Sequence, residues 1–260
     1  MYLSIKDVSK TFQNGKKPPL SVFDHINLSI EAGEFVSLLG PSGCGKSTLL
    51  SIIAGLTKPS KGTILLENNE VKGPGPDKSM VFQESALFPW MTVKENVIFS
   101  LRKKVNKKER SNIAAAYLQM VQLSKFVDNY PHELSGGMQQ RVSIARALAM
   151  NSKLLLMDEP FGALDEQTRI VLQEELERIW LDTKKTIIFV THSIREAIKL
   201  SDRVIIMGAR PGSIISDFKV DLPRPRNQKD MATLEEDVLQ LLKVEIDKVM
   251  KEELQHASST

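Results

Sequence analysis

The sequence lacks several features that would identify its class directly: paired cysteines, a long apolar run, a strong net charge and a signal peptide. Its 260 residues include a single cysteine, Cys44, which excludes an internal disulfide and favours a reducing compartment. No apolar run reaches the roughly 18 residues of a membrane-spanning helix, so we expect any membrane contact to be peripheral. A formal net charge of +3 is too small to indicate a nucleic-acid partner. The first residues lack a signal-peptide layout, which favours a cytoplasmic protein.

What remains is an ordinary globular composition. Hydrophobic residues make up 42% and charged residues 26% of the chain, which is enough apolar side chain for a sizeable core. The sequence shows no internal repeats and no low-complexity tracts. Its length suits one large domain, or one domain with an inserted subdomain.

The most informative stretch lies at residues 40–48. An apolar run at 35–39 predicts a buried strand before it, and residues 49–54 predict a helix after it. The segment fits the pattern G-x-x-x-x-G-K-[ST] of a phosphate loop, in which backbone N–H groups and a helix N-terminus face one anion. We expect Lys46 to reach the outer phosphates and Ser47 to ligate Mg²⁺. The candidate nucleotide-binding residues are Gly40, Pro41, Ser42, Gly43, Cys44, Gly45, Lys46, Ser47 and Thr48.

Two acidic residues follow another apolar run. Residues 154–157 predict a buried parallel strand, and Asp158 and Glu159 come directly after it. Open α/β sheets bind ligands at the carboxyl ends of their strands. We therefore expect Asp158 to hold Mg²⁺ together with Ser47, and Glu159 to face the γ-phosphate and polarise a water. His192 ends a further predicted strand, where it is either structural or shares the sheet edge with the carboxylates.

A second glycine-rich helix start lies within a segment of helical periodicity. We interpret that segment, about residues 85–150, as a helical insert. Ser135 is a candidate N-cap, and Gly136 and Gly137 leave backbone N–H groups accessible. The sequence therefore predicts a second anion-binding helix start, far along the chain from the phosphate loop.

Several segments leave two interpretations open. Phe12 ends the first strand and reads, on position alone, as an aromatic at the edge of the core. Gln83 ends a short strand and is either a sensor at the edge of a site or a surface glutamine. The apolar segment 88–92 is either a packed turn or a docking surface. The basic residues at 102–104 and 107–108 are either a solvated helix end or a contact for lipid phosphates.

The two ends of the chain predict further elements. Residues 2–8 and 22–30 alternate in polarity and predict antiparallel strands, with a loop at 14–19 between them. Beyond residue 223 a charged helix begins. Its apolar stripe either packs on the body of the protein or mediates self-association, and consists of Val238, Leu241, Leu242, Ile246 and Val249.

The order and spacing of these motifs resemble an ABC transporter ATP-binding subunit. The similarity covers about residues 1–220, and its most specific part is the serine-glycine-glycine signature, which other phosphate-loop ATPases lack. Similarities at 82–90, 158–165 and 208–212 point to the nitrate/sulfonate/taurine import group, and related pyrimidine-precursor and bicarbonate importers share much of them. The matching motifs are the phosphate loop, Gln83, L-S-G-G-M-Q at 134–139, L-L-L-M-D-E at 154–159, Ala163-Leu164-Asp165 and His192.

The resemblance implies an α/β fold of the phosphate-loop NTPase type. Its core would be a mixed sheet flanked by helices, with an antiparallel β subdomain and an inserted α-helical subdomain. The implied nucleotide-binding domain is 1–222, with the insert at about 85–150, and a helical extension follows at 223–260.

The resemblance also implies roles for single residues. Phe12 looks like the aromatic that stacks on adenine, and Gln83 like the residue that links Mg²⁺ and the attacking water to the helical subdomain. Asp165 looks like a residue that communicates across a dimer. The implied signature contacts to the partner's ATP are Ser135, Gly136, Gly137, Met138 and Gln139; the implied catalytic residues are Lys46, Gln83, Glu159 and His192; the implied metal ligands are Ser47, Gln83 and Asp158.

The expected function is that of an ATP-hydrolysing, energy-coupling importer subunit for nitrate, sulfonate, taurine or a similar small solute. ATP and Mg²⁺ are the implied cofactors, and a second copy of the chain completes each nucleotide site. The implied partners are a membrane permease and, through it, an extracytoplasmic solute-binding protein, with no nucleic acid; the implied location is the cytoplasmic face of the inner membrane. The alternatives are a non-transport ABC ATPase acting on nucleic acid or ribosomes, and a small-molecule kinase.

Overall fold

The computed structural model describes residues 1–15, 17–102, 105–209 and 211–257. The strands within them, in chain order, are β1 (Leu3–Asn14), β2 (Lys17–Ile30), β3 (Phe35–Leu39), β4 (Lys61–Leu66), β5 (Asn69–Glu70), β6 (Lys78–Val81), β7 (Leu154–Asp158), β8 (Thr186–Thr191), β9 (Arg203–Met207) and β10 (Ile214–Lys219). The α-helices are α1 (Lys46–Ile53), α2 (Val93–Leu101), α3 (Lys107–Met120), α4 (Gly136–Ala149), α5 (Glu166–Thr183), α6 (Ile194–Leu200) and α7 (Gln228–Ala257).

The contacts divide the chain into two compact units. The first unit comprises Met1–Gly75 and Thr186–Thr260, and the second comprises Pro76–Lys185. Helices α2 to α4 fall within the segment expected to be a helical insert. The domain limits expected from the sequence, 1–222 and 223–260, stay a prediction.

The first unit contains an antiparallel sheet in the order β2-β1-β4-β5, as the sequence predicts. Its first two strands are longer than expected, since β1 continues to Asn14 and β2 begins at Lys17, so both extend into the predicted loop at 14–19. Pro18 and Pro19 are tolerated there because β2 is an edge strand and its pairing with β1 is irregular between Phe12 and Asn14, and edges and irregularities are where strands admit proline.

The first unit also carries the strands that position the phosphate loop. Strand β3 pairs in parallel with β8 on one side and β9 on the other, and β10 pairs antiparallel with β9. All five residues of β3 are buried, as expected for a strand covered on both faces. Leu39 is opposite Thr191 of β8, so the segments that follow the two strands leave the sheet side by side.

The second unit combines a parallel strand pair with the helices. Strand β6 pairs with β7, with Val81 opposite Met157. Helix α4 packs against α2 and α3. The described part of the basic tract lies at helix ends, since α2 ends before Arg102 and the exposed Lys107 and Lys108 begin α3. Lys103 and Lys104 of that tract, and Arg210 of segment 208–212, lie outside the described residues.

Helix α7 packs on the first unit, but through a stripe that differs from the predicted one. Met231, Val238 and Leu242 are buried in one cluster with residues of β3, α6 and β9, and Ile246 packs against it. The prediction for Leu241 was wrong: its side chain is 45% exposed because it falls at the edge of the helical stripe. The side chain of Val249 lies outside the described part. No helix among the described residues is long and apolar enough to cross a membrane.

Candidate active site

The phosphate loop connects β3 to α1 in the first unit, and close packing around it requires glycine at two of its positions. Gly45 caps α1 with φ 100°, a left-handed conformation that glycine adopts without strain. A Cβ at Gly45 would lie 2.7 Å from Cδ1 of Phe23, and a Cβ at Gly40 would collide with the Met207 carbonyl oxygen. Both glycines of the motif are therefore required by close approaches as well as by the turn, of side chains at Gly45 and of the backbone at Gly40.

Lys46 is held inside this loop. Its side chain is 6% exposed, and Nζ donates to the carbonyl oxygens of Gly40 at 2.8 Å and Pro41 at 2.9 Å. The ammonium thus lies against the curl of the loop at the positive end of the α1 dipole. Cys44 is buried, with its Sγ 3.6 Å from the same Nζ, which agrees with the packing role expected for it. This concentration of positive charge and backbone N–H groups suits a polyphosphate.

His192 leaves the sheet beside the phosphate loop. It follows Thr191, whose parallel partner Leu39 precedes the loop. The chain on its other side is fixed, because Ser193 caps α6 by accepting from the Glu196 N–H at 3.3 Å. The exposed imidazole therefore belongs to the carboxyl edge of the strands, where ligands bind in such sheets.

Phe12 lies on β1 and is not an aromatic at the edge of the core. Its side chain is 43% exposed, and the Lys10 ammonium lies 4.6 Å from its ring centroid. An exposed aromatic face beside a cation is a suitable surface for a nucleobase.

Asp158 and Glu159 end strand β7 in the second unit. Asp158 is the last strand residue and is buried, whereas Glu159 is less buried and has φ 44°. A left-handed conformation costs a non-glycine residue about 1–2 kcal/mol. Such strain is concentrated at functional sites, where it fixes the direction of a side chain. The left-handed backbone of Glu159 therefore marks it as a candidate functional residue at the end of β7.

The signature segment begins α4 as the sequence predicts. Ser135 is the N-cap, and its Oγ accepts from the Met138 N–H at 3.3 Å. A Cβ at Gly136 would meet nothing within 4 Å, whereas one at Gly137 would lie 3.0 Å from the Ala163 carbonyl oxygen. Gly137 is thus explained by packing within the unit. Packing does not explain Gly136, which lies open at the helix N-terminus.

The segment that contains Gln83 is tied to this helix by hydrogen bonds. Gln140 Nε2 donates to the Phe82 carbonyl oxygen at 3.0 Å, and Ser85 Oγ donates to Gln139 Oε1 at 3.1 Å. Arg146 Nη1 donates to the Ala86 carbonyl oxygen at 2.9 Å. Gln83 itself is exposed between these anchors. A displacement of segment 82–86 would therefore be transmitted to α4 and its signature start.

Gln139 and Asp165 have structural partners within the second unit. Besides the bond from Ser85, Gln139 donates through Nε2 to the Pro131 carbonyl oxygen at 2.9 Å, so its amide stabilises the turn before α4. Asp165 caps α5, and the backbone N–H of Thr168 lowers the pKa of its carboxyl. Gln139 therefore stabilises the turn before the signature helix, and Asp165 stabilises the first turn of α5.

An apolar groove of about 890 Å³ opens beside segment 82–86. The Phe88 ring lies 4.7 Å from that of Phe99 and 5.6 Å from that of Trp90, measured between centroids. Buried Asn96 accepts from the Phe88 N–H at 2.9 Å, so segment 88–92 is a packed turn that presents Trp90, 68% exposed. The groove is lined by Pro76, Ser79, Met80, Phe82, Ala86, Phe88, Phe99, Ser100, Arg102, Arg146, Ala147 and Met150.

Sequence reasoning missed two sets of residues that the structure brings forward. Phe99 of α2 and Arg102 at its C-terminal end meet Arg146 of α4 at the groove, and no local pattern links the two helices. Glu245 is 5% exposed on the apolar face of α7, three residues after Leu242. That helical spacing was a usable signal, because a carboxylate in an apolar stripe needs a partner inside the protein.

A phosphate loop after a strand of a parallel sheet, together with a second helix, α4, that begins with two glycines, is typical of the class of phosphate-loop ATPases. The profile of the ABC transporter family matches residues 23–162. The chain belongs to the ABC transporter family, as an ATP-binding cassette that hydrolyses ATP, which confirms the resemblance and the enzyme class expected from the motifs.

Individual relatives extend the match over nearly the whole chain. An uncharacterised ABC transporter ATP-binding protein of Methanocaldococcus jannaschii is 51% identical over 96% of this chain and 94% of its own length. The nitrate import ATP-binding protein NrtD of Synechocystis is 49% identical over 86% of this chain and 84% of its own. The bicarbonate transport ATP-binding protein CmpC of Synechocystis is 47% identical over 89% of this chain, which spans 35% of that protein.

A solved structure supports the same fold. The ATP-binding cassette MJ0796, a dimer in a post-hydrolysis state bound to ADP and Pi, aligns with a TM-score of 0.76 and 35% identity. The alignment covers 85% of this chain and 100% of that one. It confirms the fold class, a phosphate-loop ABC-ATPase core with antiparallel and helical parts.

Proposed function

We propose that the chain is the energy-coupling subunit of an ABC importer for nitrate, a sulfonate such as taurine, or a similar small solute. The observation that carries the proposal is the 49% identity to a nitrate import protein over 86% of the chain. A bicarbonate transport protein is 47% identical, so this cassette type serves more than one small anion. The partners are a membrane permease and an extracytoplasmic solute-binding protein, which select the solute; the chain lies on the cytoplasmic face of the membrane.

The phosphate loop is the proposed triphosphate site. Lys46 and the N–H groups of residues 40–48 hold the phosphates, and Phe12 stacks on adenine. Ser47, Gln83 and Asp158 are the proposed Mg²⁺ ligands, an oxygen set of the kind Mg²⁺ prefers beside phosphates. When bound, the ion neutralises charge that develops on the transferred phosphoryl group.

Glu159 and His192 are the proposed residues for hydrolysis. Glu159 orients the attacking water and accepts a proton from it. His192 donates a hydrogen bond to an oxygen of the γ-phosphate. Ser135, Gly136, Gly137, Met138 and Gln139 complete the site of a second copy, since the open N-terminus of α4 suits an anion that its own unit does not supply. Two triphosphates therefore favour closure of a homodimer, and hydrolysis releases it.

The groove beside segment 82–86 is the proposed permease contact. Its aromatic and apolar lining suits an apolar segment of a membrane protein, and Arg102 and Arg146 add charge at aromatic rings. The hydrogen bonds from segment 82–86 to α4 would convert a push on the groove into a shift of the signature start. This linkage couples the ligand state of the ATPase to alternating access in the permease.

Phe12→Ala is expected to weaken MgATP binding about tenfold, because a base stacked on an aromatic ring contributes on the order of 1–3 kcal/mol. Isothermal titration calorimetry measures the change. Phe12→Tyr keeps the ring and should bind within twofold of wild type. Unchanged affinity in the alanine variant would remove Phe12 from the site.

Trp90→Ala is expected to abolish most of the permease-stimulated ATPase activity while the ATP affinity of the isolated chain stays unchanged. The complex with permease and binding protein, reconstituted in proteoliposomes and supplied with nitrate, gives both the stimulation and the transport rate. Phe126→Ala removes a partly exposed aromatic outside segment 88–92 and should retain full stimulation. Full coupling in the Trp90 variant would contradict the proposed contact.

A further inference from the structure

We propose that Glu245, on the C-terminal helix α7, is a positioning residue for the phosphate loop. It acts through the turn between β9 and β10, whose described residues 208–209 and 211–213 we term the floor turn because Gly212 packs against the loop. The inference rests on the proposed role of the phosphate loop in holding ATP. Every residue in the argument belongs to the first unit.

The floor turn touches the phosphate loop at close range. A Cβ at Gly212 would collide with the Cys44 carbonyl oxygen, and the Met207 carbonyl oxygen closes in the same way on Gly40. The floor turn itself therefore meets the loop at Cys44, and Met207, the last residue of β9 directly before the floor turn, meets the loop at Gly40. A shift of the floor turn by a few tenths of an ångström would press on the loop directly.

The floor turn is also bonded to strand β2, which contacts the phosphate loop from another direction. The Gly212 N–H donates to the Val22 carbonyl oxygen at 2.8 Å, and the Asp24 N–H donates to the Gly212 carbonyl oxygen at 3.3 Å. Val22 in turn packs on Gly45, where an added Cβ would lie 2.8 Å from its Cγ1. The conformation of the floor turn therefore bears on the loop at Gly45 as well as at Gly40 and Cys44.

Glu245 holds the floor turn from the side of α7. Its Oε2 accepts from the Ala209 N–H at 2.8 Å. A Cβ at Gly208 would lie 2.8 Å from the same oxygen, so glycine at 208 permits the carboxylate to approach. The Gly208 N–H closes the turn by donating to the Ser213 carbonyl oxygen at 2.8 Å. A side chain from the C-terminal helix thus completes the hydrogen bonding of a turn that packs on the nucleotide loop.

Helix α7 is itself held firmly enough to position a carboxylate. Val238 and Leu242 are buried in one cluster with Leu39, the residue that precedes the phosphate loop. Before the helix, Arg226 is 7% exposed and donates through Nη1 to the carbonyl oxygens of Ile198 and Ser201, each at 2.6 Å. The C-terminal segment is therefore anchored at several points before Glu245, which holds the carboxylate in a fixed position.

The test compares Glu245→Met with Glu245→Gln. Methionine has a similar length and no strong acceptor, so the floor turn loses its bond; glutamine retains an acceptor oxygen for the Ala209 N–H. We expect Glu245→Met to weaken MgATP binding and raise the KM for ATP about fivefold, with kcat within twofold of wild type. Glu245→Gln should stay within twofold for both. Calorimetry and steady-state ATPase assays at a temperature where all variants are folded give these values.

Val238→Ala is the matched control for a purely structural effect. It removes apolar packing from the same helix and should lower Tm at least as much as Glu245→Met, but with a smaller loss of ATP affinity, because it leaves the bond from Glu245 to the Ala209 N–H in place. Gly208→Ala supplies a second route if the methionine variant does not fold, because its methyl displaces the carboxylate from the turn. We expect it to raise the KM in the same direction.

Three results would overturn the inference. The first is wild-type ATP affinity in folded Glu245→Met or, if that variant does not fold, in Gly208→Ala. The second is a loss of ATP affinity in Val238→Ala equal to that in Glu245→Met. The third is a loss of ATP affinity in Glu245→Gln as large as that in Glu245→Met. Failure of the wild-type chain to bind MgATP would instead contradict the proposed nucleotide site itself. The two failures are therefore distinguishable in one set of titrations.

Discussion

Replacement of Glu159 by glutamine is expected to lower ATP hydrolysis by roughly 100-fold, and at least tenfold, while MgATP still binds. The amide keeps the size and hydrogen-bonding capacity of the side chain but cannot take a proton from water, and a positioned general base typically contributes 10²–10⁴-fold. Glu159 stands in a left-handed conformation directly after β7, which fixes the direction of its side chain. Phosphate release under steady state measures hydrolysis, and calorimetry measures binding.

Glu166→Gln serves as the control for loss of a nearby carboxylate. Glu166 lies in the first turn of α5 and pairs with Arg169 at 2.9 Å on the surface, so its neutralisation should leave hydrolysis within twofold. Wild-type turnover in the Glu159 variant would assign the chemistry to another group.

Replacement of Gly136 by aspartate is expected to abolish ATP hydrolysis, with a loss of at least 100-fold, while the fold and ATP binding to the phosphate loop are retained. A Cβ at Gly136 meets nothing within 4 Å, so the side chain fits the isolated chain. An acidic residue in the first turn of α4 also interacts favourably with the helix dipole, so it should not destabilise the fold. In the dimer, however, its carboxylate would face the γ-phosphate of the partner's ATP and repel it. Steady-state ATPase activity and the ATP-dependent dimer fraction are the readouts.

Gly136→Ala separates charge from bulk at the same position. A methyl group occupies the same open space without a charge, so we expect it to retain hydrolysis within about fivefold. Activity of the aspartate variant equal to that of the alanine variant would show that no anion approaches this helix end.

The phosphate loop was predictable from sequence because its determinants are local. Strand β3, the glycine turn and α1 occupy consecutive residues, and the glycines at 40 and 45 mark the close approaches that the structure contains. The N-cap at Ser135 and the strand ends at Asp158 and Thr191 are equally local. In these cases hydrophobic periodicity and side-chain capping chemistry are enough to place the residue.

Other features depended on contacts between distant segments. Strand β2 includes Pro18 and Pro19, which the sequence placed in a loop, because the edge position that admits proline is a property of the whole sheet. The predicted stripe of α7 included Leu241, which is exposed, and omitted Met231 and Glu245, which are buried. Which residue of an amphipathic helix faces the core is decided by the partner surface, here α6 and the sheet, and the helix pattern alone leaves that choice open by one position.

The molecular mass of the Glu159→Gln variant in solution, by multi-angle light scattering with and without MgATP, tests the central claim most directly. That claim is that one chain holds only part of each nucleotide site and that two copies complete both. The account predicts the mass of two chains with MgATP and of one chain with MgADP or without nucleotide. A single-chain mass at saturating MgATP would contradict it.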